Sequence, residues 1–173
     1  KELVPVRRRF GMLFQLGALF DSMTVAENIA VPLLEHASHT PEEIELIVRE
    51  KLRMVGLDGL QLRKPAEISG GQKKRVALAR AIALNPDVVL YDEPTTGLHF
   101  ADIDVLLTAL RRLLAAGHSL VVIEHNLDVV RAADWLIELG PEGGEAGGLL
   151  VAEGTPSDCV ARGQGHTAEA LRR

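Results

Sequence analysis

The chain has a single cysteine, Cys159, in 173 residues. One thiol excludes an internal disulfide and an all-cysteine metal site, and it suits a reducing compartment. No apolar run approaches the roughly 18 residues that a membrane-spanning helix needs. Basic charge is not in excess either. With 19 Lys and Arg against 24 Asp and Glu the net charge is −5, which argues against nucleic-acid binding driven by bulk charge and leaves only a local basic patch. The opening residues KELVPVRRRF are not followed by an apolar core, so they do not read as a secretory signal. Because the sequence starts on lysine, its natural start is expected upstream. There is also no Gly-Lys pair. That excludes from these residues a G-x-x-x-x-G-K-[ST] loop, whose backbone N–H groups and lysine grip nucleotide phosphates.

What is present is globular: 47% of residues are apolar and 25% charged, enough for one ordinary domain with a subdomain. RFGMLFQ (9–15) reads as a short buried strand. TVAENIAVPLLEH reads as a helix interrupted by Pro32. TPEEIELIVREKLRMVG is the best-marked helix. Thr40 is its N-cap, Pro41 opens its first turn, Glu43 completes a capping box, and Gly56 stops it. Ile44, Ile47, Val48, Leu52 and Val55 form its apolar face. A further helix starts at Ser69 and is expected to reach about Asn85, before Pro86. DVVLYD (87–92) and SLVVIE (119–124) are continuous apolar runs of the kind buried on both faces of a parallel sheet. The helix between them, from residue 100 to about 116, makes a βαβ unit. DWLIELG and GLLVAEG read as two strands joined by PEGGEAGG, and TPSDCVARG starts a short helix. The fold class expected is α/β, with a helical insertion over about 21–84, a core over 85–140, and a C-terminal hairpin with short helices over 141–173.

Chemistry gathers at a few points. Asp92 and Glu93 end a parallel strand, where ligands of open α/β sheets bind. An aspartate there can hold Mg²⁺, directly or through water, and a neighbouring glutamate can orient or deprotonate an attacking water. Ser69, Gly70, Gly71 and Gln72 supply a hydroxyl, close backbone approach and a helix N-terminus, all of which favour phosphate. His125 is expected to close the second parallel strand, at the same edge as Asp92 and Glu93, and Gln15 to close a third strand with an amide oxygen that could face metal or water. Taken singly, these are a polar strand end, a helix cap, a structural histidine and a surface amide. Their order along the chain is the specific signal.

ISGGQKKRVALARAIALNPDVVLYDEPTTGL resembles the signature-to-Walker-B segment of ATP-binding cassette (ABC) ATPases, and the likeness spans roughly residues 8–140. The resemblance implies an ABC-type P-loop NTPase sheet with a helical subdomain, with its leading strands and P-loop outside this sequence. It also implies ATP and Mg²⁺ as ligands. By resemblance Ser69, Gly70, Gly71 and Gln72 are the signature loop, acting on a partner subunit's ATP. Asp92 holds the metal, Glu93 is the catalytic base, Gln15 is the Q-loop glutamine beside the metal, and His125 is the switch histidine. Gly97, Leu98 and His99 form the D-loop. Residues 7–90 resemble the ATPase of Mla-type phospholipid transporters, whereas residues 92–171, with TGLH and VAEGTP, resemble the C-terminal end of the excision-repair ATPase UvrA. The two likenesses meet near Tyr91, as in a hybrid.

Three functions remain in view: a transport-coupled ATPase segment, a UvrA-like repair ATPase segment, and a catalytically silent interaction module. The first, given most weight, implies a cytoplasmic location at a transmembrane permease, with self-association or a second ABC ATPase subunit. Without a P-loop, isolated activity is not expected. DNA is the less favoured partner, since no cysteine zinc module is present. The basic trio in VRRRF reads as a solvated strand start and Trp135 as core on a strand. His36, His39, His118 and His166 lack metal-ligand spacing and are expected to face solvent. Cys159 has no evident base and is expected to be inert.

Overall fold

The computed structural model describes residues 3–14, 18–36, 38–140, 148–163 and 165–172. Gln15 and the turn 141–147 lie outside the described residues. The chain forms two compact units, Lys1–Ile123 and Glu124–Arg173.

In the first unit the order is α1 (Val4–Arg7), β1 (Phe10–Leu13), α2 (Val25–His36), α3 (Pro41–Met54), a 3₁₀ turn at Pro65–Glu67, α4 (Gly70–Ala81), β2 (Val88–Asp92), α5 (Phe100–Ala115) and β3 (Ser119–Ile123). The three strands form a parallel sheet in the order β1-β2-β3, with Met12 opposite Leu90 and Leu90 opposite Val121. Helix α4 packs on β1 and α5 on β3. The sheet face beneath them carries Leu13, Val89 and Tyr91, which join Val76, Leu78, Leu106 and Leu113 in the core.

The strands were expected to be buried on both faces, and they are not. Phe10, Met12, Val121 and Ile123 alternate with the buried residues and are 45–58% exposed. An apolar run without a period announces only that a strand is hydrophobic. Which face is covered depends on the helices that pack against it. The basic trio is solvated just ahead of β1 as expected, with Arg7, Arg8 and Arg9 all exposed, although Arg7 ends the short helix α1 and Arg9 pairs with Asp87 beside the central strand.

Helix α3 forms as its sequence dictates. Thr40 Oγ1 accepts from Glu43 N at 3.3 Å, Glu43 Oε2 accepts from Thr40 N at 2.8 Å, and Gly56 takes the left-handed φ of 68°. Its face buries Val48 and Leu52. Two expectations for its neighbours fail. Helix α2 runs through Pro32 without interruption, because Val25, Ile29 and Leu33 are buried in its packing against α3 and α4. That burial outweighs an interior proline's cost of about 3 kcal/mol. Helix α4 stops at Ala81, not near Asn85. Its last residues tighten into turns with Ala83 N donating to Arg80 O and Asn85 N to Ile82 O, and Asn85 adopts a left-handed φ of 51°. The buried Lys51 ammonium donates to Asn85 Oδ1 at 2.6 Å and so ties α3 to this turn.

The second unit holds α6 (Leu127–Ala132), β4 (Leu136–Gly140), β5 (Leu149–Gly154), α7 (Pro156–Arg162) and α8 (Gly165–Leu171). Strands β4 and β5 pair antiparallel, with a register shift between Glu138 and Leu139. Thr155 and Asp158 make a capping box on α7, and Cys159 is buried beneath it. Trp135 is not core. It is 58% exposed just before β4, beside the exposed Ile137 and Leu139, because α7 packs on β5 from the other face, where Ala152 and Cys159 are buried. In the first unit, His118 is also not solvent-facing: it is half-buried, with Nδ1 2.7 Å from the Pro86 carbonyl oxygen.

Candidate functional site

The first unit presents two groups of interest, one at the start of α4 and one at the end of β2. Helix α4 begins with a complete capping box. Ser69 Oγ accepts from Gln72 N at 3.2 Å, and Gln72 Oε1 accepts from Ser69 N at 2.9 Å. The two glycines that follow differ in role. At Gly70 a Cβ would meet nothing within 4 Å, so the backbone is open to an approaching group. At Gly71 a Cβ would lie 2.5 Å from Asp102 Oδ1, so a larger residue here would displace the Asp102 carboxylate of α5. The first turn of α4 carries no acidic residue of its own, and Asp102 brings a carboxylate to its positive end from α5. One turn on, buried Arg75 donates to the carbonyls of Val55 and Gly56 at 3.1 and 3.2 Å, capping α3. Burial holds its guanidinium below the usual range, and Asp102 opposes that shift.

Asp92 is the last residue of β2, opposite Ile123. Its half-buried carboxylate makes no hydrogen bond or ion pair among the described residues. Glu93 follows with a positive φ of 41°, a conformation that non-glycine residues adopt at a cost. Its backbone N donates to Ile123 O at 2.9 Å, and its Oε2 accepts from Thr96 Oγ1 at 2.9 Å. Gly97 turns the chain with φ of 75°, Leu98 N donates to Thr95 O, and His99 is the exposed N-cap residue of α5 with its ring edge-to-face on Phe100.

The donor set fits a hard divalent cation held jointly with phosphate. Among the described residues no three His, Cys, Asp or Glu side chains converge on a metal position. Mg²⁺ characteristically takes one or two carboxylates plus phosphate and water oxygens, and an unpartnered strand-end aspartate offers that. The open N-terminus at Gly70 fits an anion.

The structure therefore brings Ser69, Gly70, Gly71, Gln72, Asp92, Glu93, Gly97, Leu98 and His99 into one unit. His125 lies in the second unit, two residues beyond β3, exposed, with its N donating to Glu124 Oε2. Gln15 lies outside the described residues. Sequence reasoning missed Asp102 beside Gly71 and Thr96 on the Glu93 carboxylate. The acidic Asp102 three residues after His99 was a readable sign, being the first-turn acid of α5. On another side of the unit, a groove of about 550 Å³ opens beside β1 and α2, lined by Phe10, Met12, Phe20, Pro32, Arg80 and Leu84 among others.

Comparison with known proteins gives the family and the fold. The ABC transporter family profile matches residues 1–96. The chain is 46% identical over 145 residues to UvrABC system protein A of Vibrio cholerae, which covers 80% of this chain and 15% of that protein. It is 52% identical over 132 residues to the protein of the same name from Methanothermobacter thermautotrophicus, covering 72% and 14%. The chain thus spans about 15% of the length of these relatives. An alignment of 145 residues cannot fit within residues 92–171, so the UvrA likeness reaches back before Tyr91. Among solved structures, cbiO1 from Clostridium perfringens, part of the ABC transporter complex cbiONQ, matches with a TM-score of 0.80 at 25% identity, over 93% of this chain and 62% of that one. The dimeric ATP-binding cassette MJ0796 bound to ADP and Pi matches with a TM-score of 0.69 at 34% identity, over 79% and 61%. With more than half of its residues matched by the family profile, this chain belongs to the ABC transporter family and is part of an ABC-type ATPase domain.

Proposed function

We propose that these residues supply two halves of two different nucleotide sites. Ser69–Gln72 face the ATP of a partner subunit, while Asp92 and Glu93 serve the ATP held by the phosphate-gripping loop of their own polypeptide. The observation that carries this reading is the pairing, in one unit, of an open glycine N-terminus with an unpartnered, half-buried strand-end carboxylate. The sequence has no Gly-Lys pair, and in this reading the grip on β- and γ-phosphates comes from a loop outside these residues. When bound, Mg²⁺ would neutralise phosphate charge, and Asp92 would hold it directly or through water. Glu93, fixed by Ile123 O and Thr96 Oγ1, orients and deprotonates the attacking water. Gly70 N–H and the α4 dipole stabilise charge on the partner's γ-phosphate. By the family resemblance Gln15 would serve as a metal-side amide and His125 as a γ-phosphate contact.

The parent activity we propose is ATP hydrolysis in a UvrA-like DNA-repair assembly. It is supported by identities of 46% and 52% to UvrABC system protein A and by His99 in the TGLH stretch. A transport-coupled reading is favoured by one specific feature, the groove beside β1 and α2, which offers a seat for a permease segment. Joining a strand and P-loop segment ahead of Lys1 and measuring Mg²⁺-dependent ATP turnover tests both. Turnover should return, and duplex DNA should change its rate. Turnover indifferent to DNA would move the assignment to transport, and no ATP binding at all would refute the half-site reading.

A further inference from the structure

Lys74 lies one turn into α4, within the motif but without a role in the reading above. Its ammonium reaches across to the segment after β2, where it donates to Pro94 O at 2.8 Å and Thr96 O at 2.6 Å, with Glu93 O at 3.4 Å. An ammonium has three donors and no acceptor, and converging carbonyls satisfy it well. The contact is two-way: Tyr91 of β2 donates its hydroxyl to the Lys74 carbonyl at 3.4 Å. The segment it grips is the one that needs support. Glu93 holds a left-handed backbone, Thr96 binds its carboxylate, and Gly97 turns toward α5. A strained residue persists only when its surroundings over-determine it.

We infer that Lys74 is a positioning residue linking the signature loop to the catalytic glutamate and D-loop of the same subunit. The assignment rests on reading Ser69–Gln72 as the phosphate-facing loop and Glu93 as the base. Under that reading the two ends of the Lys74 bridge belong to different nucleotides, since α4 faces the partner's ATP and Glu93 its own. Docking of phosphate on Ser69 and Gly70 firms the first turn of α4, and Lys74 carries that state to the carbonyls around Glu93. One site thereby senses the other through a single side chain.

The test needs no nucleotide, so it stands apart from the ATPase assignment. Amide hydrogen exchange is measured by NMR on the full 173-residue chain in four forms: unchanged, Ser69→Ala, Lys74→Met and both together. Ser69→Ala removes the cap, and exchange at Gln72 should rise about fivefold. If Lys74 transmits that loosening, exchange at Thr96 and Leu98 should rise by about twofold or more in the same variant. Lys74→Met should by itself speed Thr96 and Leu98 by about tenfold, the worth of a charged hydrogen bond. In that background Ser69→Ala should add nothing there, though Gln72 still responds. Lys74→Arg should restore part of the protection. Unchanged protection of Val89 and Leu110 shows that the fold persists, and Lys74→Gln replaces Lys74→Met if it does not. The inference is overturned if Thr96 and Leu98 ignore Lys74→Met, ignore Ser69→Ala, or respond to Ser69→Ala equally in both backgrounds. Loss of this link with ATP turnover intact in the P-loop-joined protein would remove Lys74's role alone. Loss of turnover dependence on Glu93 would remove the catalytic reading and leave the mechanical link standing.

Discussion

Replacing Gly71 with alanine should destabilise the first unit, and the sign should reverse when Asp102 is also replaced. Two opposed effects set the magnitude. Within a helix alanine is favoured over glycine by about 0.8–1 kcal/mol. Against this, the new Cβ would sit 2.5 Å from Asp102 Oδ1 and 2.7 Å from its Cγ. The carboxylate must swing away, which adds a typical overpacking cost of about 1–3 kcal/mol. It also gives up about 0.3–1 kcal/mol of charge–dipole stabilisation at the start of α4. The net expectation is a loss of about 1–2 kcal/mol for Gly71→Ala alone. With Asp102→Ala already present the clash is gone, and Gly71→Ala should stabilise by about 1 kcal/mol. The coupling energy of the cycle is then about 2–3 kcal/mol. Urea denaturation of the four proteins, followed by circular dichroism with m-values compared, reads it directly. A Gly71→Ala change of the same sign in both backgrounds would refute the claim that the Asp102 carboxylate is what a larger residue here displaces.

Other expectations follow from the same geometry. Glu27 is held below the usual carboxylate range by the Thr24 backbone N–H and then its hydroxyl, and Asp158 by the Thr155 hydroxyl and then its backbone N–H. Their stabilisation is therefore full above the ordinary carboxylate value and is lost as pH falls through the lowered native one. Thr155→Val should flatten that acid limb in melting experiments, and Thr24→Val should flatten it less, because the larger hydrogen bond to Glu27 comes from the Thr24 backbone N–H, which valine keeps; a limb unchanged by Thr155→Val would remove that cap from the account. Lys51→Met should cost less than about 1.5 kcal/mol, because the stem volume is kept and Asn85, being exposed, can turn to water. Lys51→Ala should cost about 2–4 kcal/mol in the same denaturation assay, and equal costs would show that the ion, not the stem, matters. Val121→Glu should change stability by no more than about 0.5 kcal/mol, since Val121 is 51% exposed, whereas Val89→Ala on the covered face should cost about 1–3 kcal/mol.

Local features were the legible ones. The capping box at Thr40 rests on hydrogen bonds three residues apart, so residue spacing declares it, and the helix start at Ser69 was legible as a cap although its box with Gln72 was not read. The same holds for Gly56 and for the strand that ends in Asp92. What depends on tertiary packing was not legible. An apolar run says nothing about which face is covered, so Met12 and Val121 looked buried and are not. Trp135 looked like core for the same reason. Pro32 argued for a broken helix because propensity is local, while the burial of Ile29 and Leu33 is not. Lys74 was the least visible of all. A lysine in a charged stretch reads as a solvated face, and only the fold shows that carbonyls 19 to 22 residues away converge on it.

The central claim is that the signature loop and the strand-end glutamate serve different nucleotides, and mixing two inactive proteins tests it most directly. In the P-loop-joined protein, Ser69→Arg and Glu93→Gln should each bind Mg²⁺-ATP and fail to turn it over. Mixed in equal amounts and allowed to exchange subunits, they form hybrid dimers in which one site pairs an intact Glu93 with an intact Ser69 from the other chain. Activity should return to about a quarter of the unsubstituted level, as half the dimers each regain one of two sites. No recovery, with subunit exchange verified, would contradict the account.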